Sequence, residues 1–120
     1  MRSSLKGQGI AMHVTSAELD QLVAKEFEKA TASNNGRSAV AVLNDGRLRH
    51  TLITLLAGST LNDHEKPEAA TLQVLRGSIV VNWLGDSRAI AHGGLFVLPD
   101  AIHNVVATED CAFLLTSLVG

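Results

Sequence analysis

From Gly36 onward the chain is broken by turn signals at short, regular intervals. They fall at Asn44-Asp45-Gly46, Ala57-Gly58, Arg76-Gly77, Gly85-Asp86, Gly93-Gly94, Pro99-Asp100 and Glu109-Asp110. The runs between them are rich in Val, Ile, Leu and Thr, which predicts strands near 38–43, 47–56, 70–76, 78–84, 87–91, 94–98, 103–107 and 111–118. Short strands at this spacing build a sandwich or a barrel. Parallel neighbours would need helix-length crossovers, and none separates these runs, so the expected class is all-β and antiparallel.

Ahead of the strands lies one helix. Thr15 and Glu18 have the spacing of a capping box, in which the hydroxyl takes a free N–H and the carboxylate reaches back. Leu19, Leu22, Val23, Phe27 and Ala30 then recur at helical spacing, and Ser33-Asn-Asn-Gly36 is a natural stop. This divides the chain into an N-terminal arm and helix over 1–36 and a β domain over 37–120. An amphipathic helix at 16–31 can bind a partner, but its ordinary place is against the domain's own sheet.

Composition narrows the function classes. A chain of 120 residues suits one domain, and 46% hydrophobic residues with a net charge of −2 exclude disorder. Ten Lys and Arg against twelve Asp and Glu give nothing to neutralise a row of phosphates, and 3% aromatics give no stacking platform, so no nucleic-acid partner is expected. A membrane span needs about 20 apolar residues, and the longest unbroken apolar run is Ala39 to Leu43. No hydrophobic stretch follows Met1–Lys6, so no secretory signal is read and the expected location is the cytoplasm. Cys111 is the single cysteine and sits in an apolar run, as a small buried hydrophobe would. Leu52–Leu56, Ile79–Trp83 and Phe113–Leu115 are apolar on both faces, whereas a free sheet face would alternate with polar residues. One face fills the interior. The other needs a cover, either the helix or a second copy, and a homodimer is expected.

Two stretches carry chemistry: Gly58-Ser-Thr-Leu-Asn-Asp-His64-Glu-Lys66-Pro-Glu-Ala-Ala70-Thr-Leu-Gln-Val-Leu-Arg-Gly77, and Gly93-Gly-Leu-Phe-Val-Leu-Pro99-Asp-Ala-Ile-His103. They resemble the two motifs of the RmlC-like cupin superfamily, in its small single-domain bacterial form. Gly58, His64 and Gly77 match the first motif in register. In the second, Gly93 and Pro99 match, Ala101 stands for a glycine, and His103 arrives one residue early. The resemblance spans roughly residues 40 to 118. It implies an antiparallel jelly-roll barrel with a ligand cavity in its mouth.

The motif is degenerate. The metal-binding relatives implied by this resemblance use three His and one Glu. Here Lys66 stands at the second His position and Ala70 at the Glu position, leaving His64 and His103. Two imidazoles alone bind a divalent transition metal (Fe, Mn, Ni or Zn) weakly. The expected ligand-binding set is His64, Lys66, Leu72, Val74, Phe96 and His103, with His64 and His103 as the metal candidates. Lys66 either reaches into the mouth as a point charge for an anion or joins Glu65 and Glu68 in a solvated cluster. Trp83 reads as core, and Asn82 is read as facing opposite to it. Three functions stay open. One is a module binding a small, partly apolar molecule. Another is a metal-dependent dioxygenase or isomerase with a reduced site. The third is a dimer acting through its helix. Fold alone does not choose among them.

Overall fold

The computed structural model describes residues 12–119 and, at Asp63 and His64, the backbone alone. Residues 1–11 of the expected N-terminal arm lie outside the described residues. The described chain forms α1 (Ser16–Ala32), β1 (Arg37–Asp45), β2 (Leu48–Leu55), β3 (Thr60–His64), β4 (Ala69–Arg76), β5 (Ser78–Trp83), β6 (Asp86–Ala91), β7 (Leu95–Val97), β8 (His103–Ala107) and β9 (Cys111–Leu118). No helix among the described residues is long and apolar enough to cross a membrane.

The strands pair as nested hairpins. β2 pairs with β9, β3 with β8, β4 with β7 and β5 with β6, all antiparallel. Successive pairs alternate between a five-stranded sheet ordered β1-β2-β9-β4-β7 and a four-stranded sheet ordered β3-β8-β5-β6. A long hairpin rolled up in this way is a jelly roll. The two sheets remain separately hydrogen-bonded layers of a sandwich. β3 is an element the sequence pattern did not disclose. It is a short edge strand, paired only to β8 and bulged between Leu61 and His64, so its polar run Asn62-Asp63-His64 breaks the apolar pattern that marks a strand.

Alternation along β4 decides what faces the interior. Ala70, Leu72 and Val74 are buried between the sheets with Ile53, Leu55, Ile79, Val81, Val105 and Phe113. Gln73 is exposed, and Leu75 packs on the opposite side, under the helix. Gly77 turns β4 into β5 at φ +77°, and a Cβ there would lie 2.2 Å from the Asp110 carbonyl oxygen. The β4–β5 and β8–β9 turns therefore touch backbone to backbone, which only glycine permits.

The capping box forms as expected: Glu18 N–H donates to Thr15 Oγ1 at 3.1 Å, and Thr15 N–H donates to Glu18 Oε1 at 2.9 Å. α1 covers the outer face of the five-stranded sheet. Leu22, Val23 and Phe27 meet Val40, Val42, Leu52, Leu75 and Ala112, and the Arg76 guanidinium lies 5.4 Å from the Phe27 ring centroid. The helix is thus the cover for the apolar outer face of β2 and β9. One carboxylate enters this contact. Glu26 is fully buried, accepts a hydrogen bond from the Ser38 hydroxyl and pairs with Lys29 at 3.0 Å. Burial opposes its ionisation, but the Ser38 hydroxyl and the Lys29 ammonium outweigh that and hold the carboxyl below its ordinary value.

Candidate functional site

His103 opens β8 and is almost fully buried, with 1% of its surface exposed. Its ring Nδ1 lies 3.1 Å from the Ala101 carbonyl oxygen. A carbonyl only accepts, so Nδ1 carries the proton of this hydrogen bond, and Nε2 is sealed from solvent. Ala101 holds one of the motif positions, and here its backbone orients the imidazole.

Strand pairing places three further residues in line with His103. His64 is its partner on β3, and Trp83 is its partner on β5. Asp86, on β6, is in turn the partner of Trp83. The row His64–His103–Trp83–Asp86 crosses the four-stranded sheet at one end. The two motif histidines, 39 positions apart in the chain, thus become cross-strand neighbours. The His64 side chain lies outside the described residues, so the register alone joins the pair.

Trp83 tilts against Phe96, with ring centroids 5.7 Å apart and planes at 51°. Both rings are half-buried and pack on the edge of the core. The other expected lining residues lie deeper: Leu72 is 1% exposed and Val74 is fully buried. Lys66 is half-buried on the segment between β3 and β4. Phe96 links the two groups: it touches Trp83, the partner of His103, and is itself the partner of Leu72 on β4, while Val74 lies in the core. Sequence reasoning missed Trp83 as a neighbour of His103, because that contact depends on the β5–β8 register. The only signal was that Trp83 is the sole tryptophan in an otherwise aliphatic strand.

The expected carboxylate position holds no ligand. Ala70 occupies the expected carboxylate position and is 4% exposed, with its methyl group in the core. Among the described residues no group of three or more His, Cys, Asp or Glu converges as metal ligands do. Two histidine positions without a carboxylate fall short of the three protein ligands of a catalytic centre.

No family model matches the sequence, and no curated protein matches it. Solved structures do. A cupin superfamily protein from Desulfitobacterium hafniense superposes with a TM-score of 0.67 at 17% identity, covering 76% of this chain and 87% of the other. The chain has an RmlC-like cupin fold. KdgF from a Halomonas species matches this chain with a TM-score of 0.61 at 23% identity, over 70% of this chain and 80% of that one. Salicylate 1,2-dioxygenase from Pseudoaminobacter salicylatoxidans matches with a TM-score of 0.71 at 17% identity, covering 86% of this chain. The chain spans only 33% of that enzyme's length. At these identities the likeness shows the fold alone.

Proposed function

We propose that this cupin is a small-molecule binding module whose site lies at the end of the sandwich marked by His103. The observation that carries the reading is the register of β3 with β8, which makes His64 and His103 direct cross-strand partners beside the Trp83–Phe96 pair. A buried imidazole and an aromatic wall suit a small, partly apolar ligand with one polar end. Lys66 supplies a positive point charge toward that end, which makes it a carboxylate. The centre of the sandwich is filled by Leu72, Val74 and Phe113, so the ligand is held at the mouth.

A metal-dependent enzyme is the second reading, favoured by the same histidine register and opposed by Ala70. Titration with hexanoate and benzoate, followed by Trp83 fluorescence, tests the first. Saturable quenching that is lost in His103→Ala and weakened in Lys66→Ala is expected. Absence of any change with either acid overturns the site. Metal content after purification without chelators tests the second. Stoichiometric Fe, Mn, Ni or Zn, lost in both His64→Ala and His103→Ala, would replace the binding-module reading with the enzyme.

A further inference from the structure

The β5–β6 turn end of the same sheet carries a second feature, which adjoins the histidine row through Trp83 and Asp86. β5 turns into β6 through Leu84 and Gly85, with φ of +47° and +74°. A two-residue hairpin loop with both φ values positive is the geometry that Asn-Gly or Gly-Gly ordinarily fills. Leu84 is the one non-glycine residue with positive φ among the described residues, and it is 83% exposed. A β-turn thus holds a strained leucine with its side chain in solvent. Neither packing nor turn chemistry accounts for it.

Leu84 borders an open cleft of about 400 Å³. Asn82, Asn104, Asp86, Ser87 and Ile102 contribute to its lining. The polar part is built. Asn104, Asn82 and Ser87 are successive cross-strand partners, and Asn82 Nδ2 donates to Asn104 Oδ1 at 2.9 Å. Asp86 Oδ1 accepts from Ser87 N–H at 2.8 Å, which fixes the carboxylate at the rim. Ile102, 56% exposed, adds a second aliphatic group to that of Leu84.

The charge pattern selects the ligand class. Among the described residues no Lys or Arg lines the cleft and Asp86 is the single acidic group, so an anion is repelled. A cation would pair with Asp86 alone and leave the amides unused. Carboxamides, a hydroxyl and a carboxylate together offer both donors and acceptors, the pattern a hydroxyl-rich molecule matches. Exposed aliphatic groups beside them suit the C–H faces of such a molecule. We propose that this cleft binds a neutral polyhydroxylated molecule, a monosaccharide or polyol, held by Asn82, Asn104 and Asp86 and flanked by Leu84 and Ile102. Its volume lies within the range of small-molecule sites. Its openness to solvent leaves much of a ligand hydrated, so binding is expected to be weak. The cleft shares Trp83 and Asp86 with the histidine row, but His103 itself does not line it.

The test is NMR titration of the full chain with D-glucose, D-xylose and myo-inositol, with succinate and ethanolammonium as charged controls. Saturable shifts of the Asn82 and Asn104 side-chain amide signals by at least one neutral probe, and by neither charged control, are expected. Asn82→Ala should abolish them. Leu84→Asn relieves the turn, so the severalfold weaker binding expected of it cannot be ascribed to unfolding. His103→Ala should leave the shifts unchanged, which separates this site from the histidine row. The proposal is overturned if no neutral probe gives a saturable shift, if the charged probes act equally, or if Asn82→Ala still responds. It is also overturned if sedimentation shows a dimer that seals this face against the sugars.

Discussion

Replacing Glu26 by alanine tests how α1 is held to its sheet. The side chain is fully buried, accepts from Ser38 and faces Lys29, whose own side chain is 54% exposed. Loss of a hydrogen bond to a buried charged group costs about 1.5–3 kcal/mol. One methylene leaves the helix–sheet contact at about 0.8 kcal/mol. The Lys29 pair adds only about 0–1 kcal/mol, because solvent screens its exposed end. Against these stands the desolvation of the carboxylate, which alanine no longer incurs. The net expectation is destabilisation of about 2 kcal/mol, or roughly 8 °C in Tm for a domain of this size. Urea unfolding followed by Trp83 fluorescence measures it.

Glu26→Gln preserves volume and an acceptor for Ser38, so it should cost about 1 kcal/mol or less at neutral pH. The acid limb separates charge from packing. The folded carboxyl titrates below its ordinary value of 4.5, so its stabilisation is complete above that pH and is lost as pH falls through the lower folded value. The glutamine variant lacks this limb, and the two proteins should converge in acid. An alanine variant within about 0.5 kcal/mol of the parent, the range of an ordinary surface substitution, would refute the buried-anchor argument. So would a glutamine variant with an unchanged acid limb.

Other expectations follow from single positions. Gly77→Ala should cost about 3 kcal/mol or more, since the added methyl meets the Asp110 carbonyl and φ is positive; chemical denaturation reads this directly. Leu84→Asn should stabilise by about 1 kcal/mol by relieving the left-handed strain, and an unchanged or lowered unfolding midpoint would contradict it. Burial pushes the Cys111 thiol up to about 11, so it should resist a disulfide reagent at mildly alkaline pH until the protein unfolds; labelling of the native protein at the rate of a free thiol would show that this strand opens.

Much of this protein is set by local sequence. The capping box at Thr15 and Glu18, the glycine turns and the runs of branched residues fix one helix and eight of the strands, because caps and turns act over a few residues. The burial of Leu72 and Val74 and the exposure of Gln73 follow from alternation alone. β3 escaped because an edge strand has one paired side and need not be apolar. The site was legible only in part. The spacing of His64 and His103 marks the motif, and Lys66 and Ala70 mark its decay. Their meeting, however, depends on which strand lies beside which. Only the tertiary structure decides that Trp83 stands next to His103, that Asn82 pairs with Asn104, and that α1 buries Glu26 on the five-stranded sheet. Each of these contacts joins residues far apart in the chain, and the register that aligns them is set by packing the two sheets rather than by any local preference.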